Sequence, residues 1–239
     1  MNKLSVIIPS YNEDHRITKT LESVSEFLKK QAFSYEILVI NDGSKDNTAK
    51  VVQGLEAHIP NLRLIDNKEN HGKGWVTKQG MLTAVGDVRV FMDADNSTKI
   101  DEITNFLPFF EQGFDIVLGS RRIAGSNVAK DQNGLREFLG WVFRTIVHIL
   151  VPVGVTDTQC GFKAFSASAA TAIFPQQTIF RWAFDVEVLA LARKGKYKIK
   201  EVPITWVNDE ASHVKLSGMI NMLIEIIEIR INLWTGKYK

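Results

Sequence analysis

The chain has 239 residues, 45% hydrophobic and 23% charged, enough to bury a large core in one domain or one domain with an appendage. Its 29 Lys and Arg against 27 Asp and Glu leave a formal charge of +2, which gives no global ground for a nucleic-acid partner, so electrostatic recognition has to be local. The single Cys160 excludes an internal disulfide and, without His or Cys at ligand spacing, suggests no zinc site; a reducing compartment fits.

The first predicted element is a strand from Leu4 to Pro9, an apolar run too short for the hydrophobic region of a signal peptide. The expectation is therefore a cytoplasmic protein, in which the Asn96-Ser97-Thr98 sequon is accidental. Ile17, Leu21, Val24 and Leu28 then recur at helical steps. Further strands are expected at Glu36 to Asn41, Leu62 to Asp66, Val88 to Met92 and Asp115 to Gly119, with a second helical face carried by Ile103, Phe106, Leu107 and Phe110. This βαβα order predicts an α/β fold: a mostly parallel central sheet flanked by helices, with ligands bound beyond the carboxyl ends of the strands. After Gly119 the pattern loosens into a polar stretch from Arg121 to Asn133, expected to be mobile.

Three polar motifs directly follow apolar strands: Pro9-Ser10-Tyr11-Asn12-Glu13, Asn41-Asp42-Gly43-Ser44 and Asp93-Ala94-Asp95. Strand periodicity points Asp93 and Asp95 to the same side. Two carboxylates placed so repel, and a hard divalent cation such as Mg²⁺, shared with a substrate diphosphate, resolves the conflict. The alternative for the pair alone is a solvated turn. Asn70-His71-Gly72-Lys73-Gly74 precedes a helical segment and can set backbone N–H groups and the Lys73 ammonium against a phosphate. It lacks the third glycine of a dinucleotide fingerprint and the Ser or Thr after Lys of a P-loop. Asp42 can accept hydrogen bonds from a base or ribose, or close a plain Asp-Gly turn.

With Gly119-Ser120-Arg121 these motifs fall in the order and spacing of a known family, and the chain resembles the family-2 inverting glycosyltransferases with the GT-A nucleotide-diphosphosugar-binding fold. Asp157-Thr158-Gln159-Cys160-Gly161-Phe162-Lys163 and Arg181-Trp182-Ala183-Phe184-Asp185-Val186-Glu187 are similar to motifs of the polyprenyl- and dolichyl-phosphate glucosyl-transferring branch. The resemblance implies donor contacts by Pro9, Tyr11, Glu13, Asp42, Lys73, Ala94 and Arg121, with Arg121 on a phosphate. It implies Mg²⁺ or Mn²⁺ on Asp93 and Asp95, and catalytic parts for Asp95, Arg121, Asp157 and Asp185. Ser97 departs from mannosyl relatives, which often have Gln there.

The implied reaction moves a hexose, glucose from UDP-glucose being favoured, with inversion onto a polyprenyl or dolichyl phosphate. GDP-mannose as donor, a glycan as acceptor and a non-catalytic membrane scaffold are the alternatives. A phosphate monoester with its second pKa about 6 is already dianionic at neutral pH, so cations are needed more than a base. Arg121, Arg122 and Lys163 are candidates; Asp157 and Asp185 could orient substrates or, for an alcohol acceptor, act as base.

The transferase domain is expected over 1–212, with an interfacial helix at 135–151 whose Phe138, Trp141 and Phe143 lie beside basic groups, and a C-terminal amphipathic helix within 213–239. Charges interrupt both apolar stretches, so no transmembrane helix is expected. Peripheral attachment at the cytoplasmic face of a membrane follows, with a membrane-protein partner or a homo-oligomer as further expectations; either helix could instead pack on the core.

Overall fold

A computed structural model describes residues 1–128, 134–207 and 216–238. Alternating strands and helices open the chain: β1 (Lys3–Ser10), α1 (Ile17–Leu28), β2 (Ser34–Asp42), α2 (Thr48–Glu56), β3 (Leu62–Asn67), α3 (Lys73–Thr83), β4 (Val88–Met92), α4 (Ile103–Glu111) and β5 (Ile116–Ser120). There follow β6 (Asn127–Val128), α5 (Gly134–Leu150), β7 (Phe162–Ser166), α6 (Ala167–Ile173), α7 (Phe184–Lys194), β8 (Ile199–Pro203), β9 (Thr205–Trp206) and α8 (Leu216–Thr235). The order β3-β2-β1-β4-β7-β5-β8 makes one seven-stranded sheet, and β6 with β9 makes a small second one. The expected α/β sandwich is present, and its five expected strands are β1 to β5.

Strand periodicity explains the two-sided core. Ile7, Leu38, Ile40 and Phe91 face one layer with residues of α3, α6, α7 and α8, and Leu4, Val6, Ile8, Val39, Val90 and Met92 face the other with α1 and α4. Ile17, Leu21, Val24 and Leu28 are fully buried on α1, as their spacing predicts.

The sheet is mixed because β7 runs antiparallel between β4 and β5, with Phe162 opposite Met92. This reversal matters for function. Parallel strands β1, β2, β4 and β5 deliver their carboxyl ends to one edge, and an antiparallel strand delivers its beginning there. The loop before β7, Asp157 to Gly161, is thereby brought against the end of β4.

The expected 135–151 helix corresponds to α5, but the side chains of Phe138, Trp141 and Phe143 lie outside the described residues, as do 129–133 of the polar stretch. Its beginning is ordered enough to pair Asn127 with Thr205 and Val128 with Trp206. The C-terminal helix is α8, and its apolar residues divide between two faces. Met222, Ile226 and Ile229 turn inward, while Ile227 and Ile231 turn outward with Ile220, Ile224 and Trp234. No helix among the described residues is long and apolar enough to cross a membrane.

Candidate active site

The strand ends converge on a cleft of about 410 Å³, lined by Pro9, Ser10, Tyr11, Glu13, Arg16, Asp42, Asn70, Gly72, Lys73, Val76, Asp93, Ala94, Asp95, Arg181 and Trp182. Eight of the residues singled out from sequence therefore share one space: Pro9, Tyr11, Glu13, Asp42, Lys73, Asp93, Ala94 and Asp95. The cleft carries carboxylates and cations together, so it is not a purely negative crevice.

Each wall has a local cause. Asn12 adopts a left-handed backbone (φ 55°), a conformation Asn tolerates, and turns the chain after β1. Its N–H donates to Ser44 Oγ at 2.9 Å, and the Glu13 N–H donates to Thr48 Oγ1 at 2.7 Å, which laces this loop to the one after β2. Glu13 is bonded by the Arg16 guanidinium; burial pushes its carboxyl above the ordinary range, more than Arg16 draws it down.

Asp42 does something the sequence did not indicate. Its Oδ1 accepts the His71 N–H at 2.7 Å, and its Oδ2 accepts the Gly72 N–H and the Asn70 amide, both at 3.0 Å. These bonds fix the loop that enters α3. Gly72 there has φ 102°, open only to glycine at little cost, and the turn delivers Lys73 as the first helical residue. Burial raises the Asp42 pKa despite those donors.

Lys73 Nζ meets Asp93 Oδ1 at 2.5 Å and lies 5.9 Å from the centre of the Trp182 ring. Burial draws the Lys73 pKa down, but Asp93, Asp185 and Asp95 together outweigh it, so the ammonium stays charged well above its usual value. On its other side Asp93 is pressed against Gly161, where an added Cβ would fall 1.9 Å from Oδ2. Only glycine fits. Asp95 accepts the Ser97 N–H at 2.9 Å, and Asn96 between them is again left-handed (φ 56°). Burial, then the charge of Asp93, raises the Asp95 pKa.

The Asp93 and Asp95 carboxylates suit a hard divalent cation. Their mutual repulsion is already expressed in the raised pKa of Asp95, and charge from a cation relieves it. The described residues hold no group of three or more His, Cys, Asp or Glu able to cage a metal alone.

Arg121, Asp157 and Asp185 stand outside the lining of the cleft. Arg121 Nε and Nη2 grip Asp157 at 2.7 and 2.8 Å, a two-pronged pair, and the Arg121 N–H adds a third bond. Burial pushes Asp157 upward, but Arg121 more than offsets this and holds the carboxyl at about 2. The guanidinium expected on a phosphate is thus engaged by the protein. Lys163, expected to face the leaving group, is fully buried; its Nζ donates to Asp185 Oδ1 and to the Cys160 carbonyl, each at 2.5 Å. Cys160 itself is buried, its thiol pushed up to about 12, first by burial and then by Asp157. Arg16 had no sequence signal of its own. Arg181 and Trp182 belonged to a quoted motif without a role, and only packing of the segment before α7 against α3 brings them to the cleft.

A parallel-edge cleft with paired carboxylates and facing cations suits a ligand that carries a diphosphate. The Glycosyl transferase family 2 model matches residues 5–174. A dolichyl-phosphate beta-glucosyltransferase of Trichomonas vaginalis is 38% identical over 98% of this chain and 73% of that protein. Those of Dictyostelium discoideum (38%; 99% and 76%) and Homo sapiens (32%; 99% and 78%) are similar too. Glucosyl-3-phosphoglycerate synthase from Mycobacterium tuberculosis, solved with UDP, has the same fold: TM-score 0.71 at 18% identity over 97% of this chain and 79% of that one. Mannosyl-3-phosphoglycerate synthase from Rubrobacter xylanophilus gives TM-score 0.74 at 16% identity over 100% and 76%. The chain belongs to glycosyl transferase family 2 and is a glycosyltransferase of GT-A fold.

Proposed function

We propose that the protein transfers glucose from UDP-glucose, with inversion, to dolichyl phosphate or a related polyprenyl phosphate. The observation that carries this reading is the gathering of Glu13, Asp42, Asp93 and Asp95 with Arg16, Lys73 and Arg181 around one cleft. The names of relatives similar over nearly the whole chain support the glucosyl donor and the lipid phosphate acceptor.

In this reading Pro9, Tyr11, Glu13 and Asp42 hold the nucleoside, and Lys73 and Arg181 face the diphosphate. Asp93 and Asp95 would hold Mg²⁺ or Mn²⁺, which when bound supplies charge to the departing diphosphate. Lys73 is poised for the same work, since it already pairs with Asp93 and keeps its proton at any working pH. The acceptor phosphate is dianionic near neutrality and attacks the anomeric carbon without a base. A new carbon–oxygen bond forms on the face opposite the leaving group; the old one breaks, and its electron pair departs on UDP. Arg121–Asp157 and Lys163–Asp185 act from behind the cleft as positioning pairs: the first anchors the loop whose Gly161 abuts Asp93, the second ties that loop to the start of α7.

The outward stripe of α8 supports attachment at a membrane surface, where the lipid acceptor resides, and the lone buried thiol fits its cytoplasmic side. The test is direct: incubate labelled UDP-glucose and a short polyprenyl phosphate with wild type and with Asp95→Ala. The expected outcome is a lipid-linked glucose from wild type and a loss of about 100-fold or more in the variant, the scale of removing transition-state charge stabilisation. Equal product from both would refute the part assigned to Asp95.

A further inference from the structure

The cleft wall formed by Arg181 and Trp182 is held from behind by a residue far along the chain. α7 starts just after this wall, and its own N-cap, Ala183, offers no side chain to the free N–H groups of the first turn. Glu225, midway along α8, holds the N-cap residue itself: its Oε2 accepts the Ala183 N–H at 3.0 Å. The Trp182 N–H and the Arg181 charge act on the same carboxylate. An anion at a helix N-terminus is stabilised by the helix dipole, so Glu225 caps α7 from another helix.

The same segment is fastened at its other end. Glu187 accepts the N–H groups of Thr178 and Ile179, at 2.9 and 2.8 Å, and the hydroxyl of Tyr238. On the cleft side the Trp75 N–H donates to the Phe180 carbonyl, and Gln177 Nε2 donates to the Gly74 carbonyl. Phe180, Arg181 and Trp182 between these anchors are exposed. Glu225 is therefore the brace on the α7 side of the two side chains that reach the cleft, as Trp75 is on the α3 side.

We propose that Glu225 is a positioning residue for the transferase reaction, setting Arg181 and Trp182 against the donor by capping the α7 N-terminus from α8. Burial raises its pKa, a cost that a merely space-filling Leu or Met would not incur. The proposal rests on the reading of the cleft as the donor site.

The experiment compares wild type, Glu225→Ala and Glu225→Gln for UDP affinity by calorimetry, for steady-state kinetics with UDP-glucose, and for thermal unfolding. Glu225→Ala is expected to weaken UDP binding and raise the donor KM about five- to tenfold, with kcat changed less than about twofold, the scale of a lost helix cap. Glu225→Gln keeps an acceptor oxygen and is expected to restore most of both. Unchanged UDP affinity and KM in Glu225→Ala would overturn the proposal; so would a parallel fall of kcat and unfolding midpoint in both variants, the mark of a merely structural part. Failure of wild type to bind UDP is a distinct result that removes the donor-site reading, and the proposal with it.

Discussion

Asp157 shows how a residue can look catalytic in sequence and act through another. Its carboxylate is almost wholly buried, spent on Arg121, and further fixed by the Asp157 N–H donating to Glu201. A pKa held at about 2, against 3.8 unperturbed, has a definite sign. The folded pKa is depressed, so the stabilisation is present above the ordinary carboxylate range and disappears as pH falls through about 2. Its size is on the order of 2 kcal/mol, about half of it gone by pH 3. Asp42 and Asp95 have raised values and contribute with the opposite sign, so the whole-protein acid curve does not isolate Asp157. Comparing urea unfolding of wild type and Asp157→Asn does. The expected deficit of the variant is largest at pH 7 and narrows steadily toward pH 3; a deficit independent of pH would show that the ion pair is not its origin.

At the scale of elements, what was legible followed hydrophobic period. Strands β1 to β5 are short apolar runs, and helices α1 and α4 carry apolar residues at three- and four-residue steps. β7 is no such run, because Lys163 is the second of its five residues, and no pattern rule anticipates a lysine that is buried because Asp185 waits for it on α7. Missing β7 meant missing the antiparallel reversal, and with it the reason the loop from Asp157 to Gly161 lies against the end of β4. α8 was recognised as amphipathic, yet its faces could not be sorted, since apolar residues occupy nearly every side of it. The outward Ile220, Ile224, Ile227, Ile231 and Trp234 fall at alternating four- and three-residue steps, one continuous stripe with each member at least half exposed. Placed on a lipid surface, such a stripe gains roughly 1.5–3 kcal/mol per fully buried isoleucine. The double substitution Ile224→Asp, Ile227→Asp is expected to lower co-sedimentation with liposomes more than tenfold, leaving UDP affinity as in wild type. Binding to liposomes unaffected by the substitutions would remove α8 from the membrane contact.

Across the whole molecule, the cleft is where both core layers end. Its walls come from β1, β2, α3, β4 and the segment before α7, so a donor lying in it bridges elements that otherwise communicate only through the sheet. The site residues readable in sequence were those following parallel strands. Those that were not, Arg16 and the Arg181–Trp182 wall, reach the cleft from the segments that lead into α1 and α7, helices packed on either side of the sheet. A ligand tying these parts together stabilises the folded state according to its occupancy, by about 2.7 kcal/mol at one hundred times its Kd. For a domain of this size that is about 5–10 °C in Tm. The nucleotide is then distinguishable without any acceptor. UDP-glucose with Mg²⁺ or Mn²⁺ is expected to raise Tm on that scale, GDP-mannose much less, and omission of the metal to reduce the UDP-glucose shift because the carboxylates of Asp93 and Asp95 would then repel the diphosphate. A larger shift with GDP-mannose would transfer the donor assignment to the mannosyl nucleotide while leaving the family and the cleft unchanged. A UDP-glucose shift indifferent to chelator would instead return the neutralising task to Lys73, Arg16 and Arg181 alone.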